Sequence, residues 1–403
     1  MIRQIAIIIV LSLVIFGGAM LTNAPAAEPA DKPHIDIYGF IQTDIIHDFN
    51  HVDPSWQATL RPSKIPATCT GVTATSDTGC GLMDGNTLFS VRQTRLGFKA
   101  DAPTSMGEMN TKLEFDFFGV GADAGQTTIR LRHAYGELGQ FLVGQTNSLF
   151  MDGDVFPNTI DYWGPGGMIF FRNIQARWTP MRTKDMRFAV AVEGPGTAID
   201  TGNVSNPVGW TSWNKYPDLT AQFRLTQPWG HAQVAGIYRW LGYQNPTGPP
   251  VTAAGAESSG HVTGGGINLS GSLKTIGKDQ ALAQFAYGYG IASYFNDCCT
   301  DVAPNSSLTG AEAVSALGWL LYYDHYWNDR WSSSVGYSEQ KQNTTGGQAV
   351  NSFSKGQYVS GNLLWYPVKD VMAGFEILWG QRQNKNGDRG DDTRTQFSVK
   401  YSF

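Results

Sequence analysis

From residue 35 to the end, the chain is written in segments of about ten residues in which apolar and polar side chains alternate. In DLTAQFRLTQ, Leu219, Ala221, Phe223 and Leu225 fall on one face, and Thr220, Gln222, Arg224 and Thr226 on the other. In GINLSGSLK, Ile267, Leu269 and Leu273 oppose Asn268, Ser270, Ser272 and Lys274; in AGFEILWGQR, Phe375, Ile377 and Trp379 oppose Glu376, Gly380 and Arg382. The last eight residues, QFSVKYSF, repeat the pattern, with Phe397, Val399, Tyr401 and Phe403 against Gln396, Ser398, Lys400 and Ser402. A period of two is that of a β-strand whose faces meet different media. The abundance of Gly (47), Phe (21), Tyr (16) and Trp (12), with only 16% charged residues, fits strands and tight turns. The chain is therefore read as all-β.

About sixteen such segments run from 35–49, 88–101, 109–119 and 127–138 through 371–383 and 393–403, an even number as bacterial membrane barrels require. Their connections alternate in length. Short ones such as APTSMG (102–107), QPWG (227–230) and YPVKD (366–370) carry turn residues, and long ones cover 50–87, 148–167, 195–217, 242–261 and 293–311. Short turns opposing long loops are the asymmetry of a transmembrane antiparallel β-barrel. A soluble sandwich also alternates, but its strands usually run to about 5–6 residues and its apolar face points inward. Aromatic residues near segment ends (Trp163, Trp178, Trp229, Trp240, Trp327, Trp331, Trp365, Tyr401) suit the interfacial girdles of a lipid-facing wall.

The first residues read as a targeting segment: Arg3, an apolar run over 5–16 and the small-residue site Ala24-Pro25-Ala26 make residues 1–26 a signal peptide. Residues 27–403 then form one barrel domain. The rival is an uncleaved anchor, but the run is short of the roughly 20 residues a helical span needs. No later stretch approaches that length, and a mean hydropathy of -0.23 is compatible with a soluble protein or with a barrel whose lipid face averages against a polar lumen. Export frees the four cysteines to pair. Cys69 with Cys80 is the simplest bridge, while the adjacent Cys298 and Cys299 would bond each other only with strain. No CxxC or neighbouring His completes a metal set, and no cofactor is implied.

A barrel of sixteen strands is too wide for its own side chains to fill and must hold water, a plug or an inserted loop. The third long connection, NSLFMDGDVFPNTIDYWGPGG (147–167), is the candidate constriction, with Asp152, Asp154 and Asp161. Its alternative is an ordinary solvated surface loop. Parity turns Arg95, Lys99, Arg130 and Arg132 inward on the facing wall, and its extension adds Arg177, Arg187, Arg224, Arg239, Lys274 and Arg382. These outnumber the inward acids, among them Asp44, Glu114, Asp116, Glu193 and Glu376, although the whole chain carries a net charge of -5. Rings of Arg and Lys favour anions. Pairing with a lumen carboxylate is the competing role for any one of these arginines. Arg92 falls on the outward parity, which implies a bulge or a position beyond the lipid band.

Other chemistry has little support. His133 and His325 have no Ser placed for a hydrolytic pair and are assigned to girdles or turns. The glycine clusters lack the strand-to-helix setting of a phosphate cradle, and no basic stretch suits nucleic acid. The expectation is a passive channel for small hydrophilic, preferentially anionic solutes, not an enzyme; the alternative is a barrel scaffold bearing enzymatic or adhesive loops.

Five stretches, IDIYGFIQTDI, SVRQTRLGFKA, RLRHAYGELGQFLVGQT, LFMDGDVFPNTIDYWGPGG and NLLWYPVKDVMAGFEILWGQR, together resemble the DcaP-like porins of Gram-negative outer membranes. The resemblance runs over the mature chain and implies a homotrimer of sixteen-stranded barrels that takes up small anionic solutes such as dicarboxylates. Some members carry a helical extension before the barrel, where this chain has only AEPADKPH. The terminal strand ending on Phe403 resembles the signal read by the barrel-assembly machinery of those membranes.

Overall fold

The computed structural model describes residues 34–69, 78–203, 210–246, 259–297 and 299–403; the segment read as a signal peptide lies outside the described residues. Within them, sixteen antiparallel strands close into one barrel. The first, His34–Asp48, pairs with the last, Arg389–Ser402, in a register that sets Asp44 opposite Ser398 and Ile45 opposite Phe397. On its other edge it meets a strand in two pieces, Asn86–Ser90 and Arg95–Thr104. Closure leaves no open edge in the sheet, as a bilayer demands.

The burial pattern is inverted relative to a soluble protein. Phe397, Val399, Tyr401 and Phe403 are exposed on the outside, whereas Gln396 and Ser398 are buried within. Apolar side chains can face outward in this way only if lipid replaces water around them. The strands are joined at one end by turns such as 139–140, 228–229 and 329–330, and at the other by the long connections. Exposed Phe141, Trp178, Trp229, Trp327, Trp331, Trp365 and Tyr401 ring the turn end as a girdle. Phe403 closes the barrel there through reciprocal backbone hydrogen bonds with Gly39, each 3.1 Å.

Three connections fold back into the lumen and pack on the wall. Residues 148–171 place Phe150, Met151 and Ile169 with Tyr294 and Phe295 of the 290–314 connection, against Ala235, Ile237, Ala286 and Ala316 of the wall. Leu60 and Ile65 of the first connection pack with Val155 and Met168 on Leu282, Leu320, Tyr322, Tyr358 and Leu378. These inward apolar wall residues are exceptions to a polar lumen because loops cover them, and burying each large side chain contributes about 1.5–3 kcal/mol. The glycines of GPGG allow this close seating: Gly167 donates to Ser338 Oγ at 2.9 Å, and a Cβ there would collide with the Glu339 carbonyl of the wall.

Trp163, expected in a girdle, lies inside with these connections, its indole donating to the Asn296 carbonyl. Connection 147–167 belongs to the barrel interior, so its aromatics follow the loop and not the lipid boundary. Cys69 and Cys80 form a disulfide. Cys299 is also disulfide-bonded, and Cys298 is outside the described residues.

Candidate solute passage

The wall facing the 148–171 loop is shaped by two interruptions of the strand ladder. At 91–94 the chain makes a turn, Thr94 N donating to Val91 O at 3.0 Å, so that consecutive Arg92 and Gln93 both turn inward. Arg92 lies 4.0 Å over the Phe118 ring and donates to Gly119 O at 3.1 Å. Its off-parity position is thus a bulge, as the sequence implies. The second interruption lies where Phe115 opposes Leu131 but Glu114 opposes His133, leaving Arg132 as an extra residue. That bulge makes both Arg132 and His133 inward. His133 is therefore not a girdle residue: it is buried, with Nδ1 3.0 Å from Thr146 Oγ1. His325 does sit at the outer turn end, 2.6 Å from Asp279.

Two buried carboxylates organise this wall. Glu114 receives Arg132 Nε at 2.8 Å, Lys112 Nζ at 3.1 Å and Tyr38 Oη at 2.7 Å, with Arg95 Nε at 3.7 Å. Asp116 receives Arg130 Nη2 and Arg132 Nη1, each at 2.9 Å, and the Tyr162 hydroxyl from the inserted loop. Bidentate contact holds the guanidinium planes in place. Arg95, Arg130 and Arg132 then border a cavity of about 690 Å³, together with Arg61, Arg172 and Lys400. Its other side is Phe156, Ile160, Tyr162, Trp163, Phe170, Phe171 and Phe295. Among the described lining residues the one carboxylate is Asp161.

The three loop aspartates hold the insertion in place. Asp152 accepts from Arg224 Nη1 at 3.1 Å, Ser270 Oγ at 2.7 Å and His231 Nε2 at 2.8 Å. Burial would raise this carboxyl, but those partners hold it below its ordinary range. Asp154 meets Arg224 Nη2 at 2.5 Å. Asp161 accepts from Thr59 Oγ1 at 2.8 Å, Leu60 N at 3.1 Å, Gly164 N at 3.1 Å and Tyr358 Oη at 3.1 Å. Its burial outweighs these bonds and pushes its pKa up. The loop is inserted, then, and its aspartates are spent on anchoring; it borders the cavity with Phe156, Asn158, Thr159, Ile160, Asp161, Tyr162 and Trp163.

The remaining predicted cations are dispersed. Lys99 lies nearer the turn end, exposed, with Nζ 4.7 Å from the Tyr38 ring. Arg177 donates to Asn147 O at 2.6 Å and Arg187 to Gln222 at 3.1 Å, both inward on the neighbouring wall. Arg224 is neutralised by Asp152 and Asp154. Arg382 does not border the cavity: it donates to Ser63 O at 3.3 Å and Asn351 O at 3.3 Å, because the first connection folds over it. Arg239 is buried beside Asp218 and Asp301. Parity missed Arg61, on an inserted loop, and Arg172, at a loop-to-strand junction where alternation has not begun. Lys400 was legible as inward in QFSVKYSF. Among the described residues, no group of three or more His, Cys, Asp or Glu is placed to hold a metal.

The family model for DcaP outer membrane protein matches residues 18–242. No functionally curated protein matches the sequence significantly. The fold is similar to that of the outer membrane channel DcaP of Acinetobacter baumannii, at a TM-score of 0.73 and 21% identity, covering 92% of this chain and 97% of that one. It is similar to an anion-selective porin from Comamonas acidovorans (TM-score 0.54, 10% identity, 92% and 100% covered). The trimer form of OmpT from Vibrio cholerae aligns at a TM-score of 0.52 with 11% identity, over 93% of this chain and 100% of that one.

Proposed function

Because the chain belongs to the DcaP outer membrane protein family, whose members are channels and not enzymes, we propose that it passes small hydrophilic anions, dicarboxylates among them, by passive diffusion. The observation that carries this reading is the cavity itself, with Arg61, Arg95, Arg130, Arg132, Arg172 and Lys400 against, among the described residues, one lining carboxylate, Asp161. At an effective dielectric of about 20, one unit charge 4 Å from another feels roughly 4 kcal/mol. Several such cations attract an anion in steps, and Glu114 and Asp116 behind them moderate the attraction so that it can leave. Conduction needs this balance of favourable but weak, multiple sites.

A carboxylate entering from the loop end meets Arg61, held by Asp297 at 2.9 Å and stacked over Trp56 at 3.9 Å. It then reaches the arginine wall and Lys400, while the aromatic side of the cavity takes the apolar part of the solute. Arg177 and Arg187 continue the positive wall beyond. The channel works as a homotrimer in outer-membrane lipid, a reading that the trimer form of OmpT supports. Residues 1–26 direct export and are removed, and Phe403 addresses the barrel to its assembly machinery; deleting Phe403 should lower outer-membrane assembly more than it alters selectivity. Liposome swelling tests the transport reading. A four-carbon dicarboxylate should enter faster than a diamine of equal length, and equal or reversed rates contradict it.

A further inference from the structure

The cations bordering the cavity are unequal in what already occupies them. Arg130 and Arg132 share Asp116, and Arg132 also holds Glu114, which Arg95 approaches at 3.7 Å. Arg61 is bound to Asp297. Arg95 Nε is buried without a hydrogen-bond partner but stands beside Glu114, and Lys400 has no carboxylate within 4 Å among the described residues but lies over the Phe40 ring at 5.5 Å. Arg172 is the lining guanidinium that combines both features: no carboxylate within 4 Å among the described residues, and a buried Nη1 with no hydrogen-bond partner. Its guanidinium carbon lies 5.3 Å from the Phe170 ring. Its backbone is fixed by the start of strand Arg172–Arg182, opposite Asn147, so the charge stands on a rigid element at the root of the inserted loop.

We propose that Arg172 is the selectivity-determining residue of the passage, the cation onto which the negative group of a permeating anion transfers. This rests on the anion reading above. An arginine already forked onto a carboxylate has its donors occupied and its field partly cancelled; one with an idle, desolvated donor gains a charge-assisted hydrogen bond when an anion arrives. The wall arginines shape and polarise the cavity, and Arg172 binds. Its chemistry suits a compact oxyanion, carboxylate or phosphate, that offers an oxygen to Nη1 while its remainder faces Phe170.

The test compares two neutral variants that change the lumen charge equally, Arg172→Gln and Arg130→Gln, in planar bilayers. Inorganic phosphate is the probe, read as inhibition of chloride current, together with the zero-current potential in a KCl gradient. Arg172→Gln should raise the phosphate concentration for half-inhibition about tenfold, the loss of one charge-assisted bond. Arg130→Gln, whose charge is already held by Asp116, should move it less than Arg172→Gln does, and Arg172→Lys should restore most of the anion preference. Heat-modifiable electrophoretic mobility checks that each barrel is folded, and Arg172→Met replaces the Gln variant if that one does not assemble. Equal effects of the Arg172 and Arg130 variants overturn the proposal while leaving an anion-selective channel. A wild-type channel without anion preference overturns the parent reading as well.

Discussion

The two sides of the lumen use buried carboxylates in opposite ways. On the cavity side, Glu114 and Asp116 are surrounded by Arg95, Lys112, Arg130 and Arg132. Behind the inserted loop, Asp44, Asp161, Asp324 and Glu376 have no cation within 4 Å among the described residues and are satisfied by amides and hydroxyls. Glu376 accepts from Ile160 N at 2.8 Å and Asn362 Nδ2 at 2.9 Å; Asp44 accepts from Ser398 Oγ at 2.6 Å and Gln93 Nε2 at 3.1 Å. Acids paired with arginine hold positive charge at the border of the cavity. Acids paired with main-chain N–H groups latch the loop. Loop and wall together thus separate charge across the barrel: the positive groups border the water, and much of the negative charge is covered.

Releasing the latch should have the largest effect. In Glu376→Ala with Asp161→Ala, buried N–H groups of residues 60, 160, 161 and 164 lose their acceptors, each at about 1–3 kcal/mol. The loop should leave its seat, giving larger and noisier single-channel steps with weakened selectivity; unchanged steps would mean that the loop does not set the pore. Next in size, Arg132→Ala removes a partner shared by Glu114 and Asp116. Uncovering a buried charge costs about 3–5 kcal/mol, so this variant should denature at lower urea than wild type, with a smaller loss of anion preference than Arg172→Gln shows.

A smaller effect is expected where the loops meet. Asp297 accepts from Arg61 Nε at 2.9 Å and Ser63 N at 2.7 Å. Asp297→Ala should loosen the first connection and raise conductance modestly, while the arginine wall keeps its selectivity. Smallest of all, reducing Cys69–Cys80 should leave conductance and ion preference unchanged, since the bridge closes a separation of 11 residues within one connection and joins no loop to the wall.

The same contrast explains what could be read from the sequence. Alternation exposed the strand count, the lipid face and the inward set containing Arg95, Arg130 and Arg132, because parity is local and a shift of one residue would put charge into lipid. It failed at Arg92, His133 and Arg172, where bulges and a junction reset the parity. Trp163 lies away from any girdle because an inserted loop places aromatics by its own fold. The partners of Asp152, Asp154 and Asp161 lie on strands or loops distant in sequence, and no spacing rule announces Arg224, His231 or Tyr358. Arg382 meets the first connection, donating to Ser63 O, and does not border the cavity.

The central claim is that the exposed charge of this lumen is positive because its acids are covered. The zero-current potential of the wild-type channel across a KCl gradient measures that directly. The account predicts the sign set by chloride, reduced in Arg172→Gln; a potential at zero or of the sign set by potassium would contradict it.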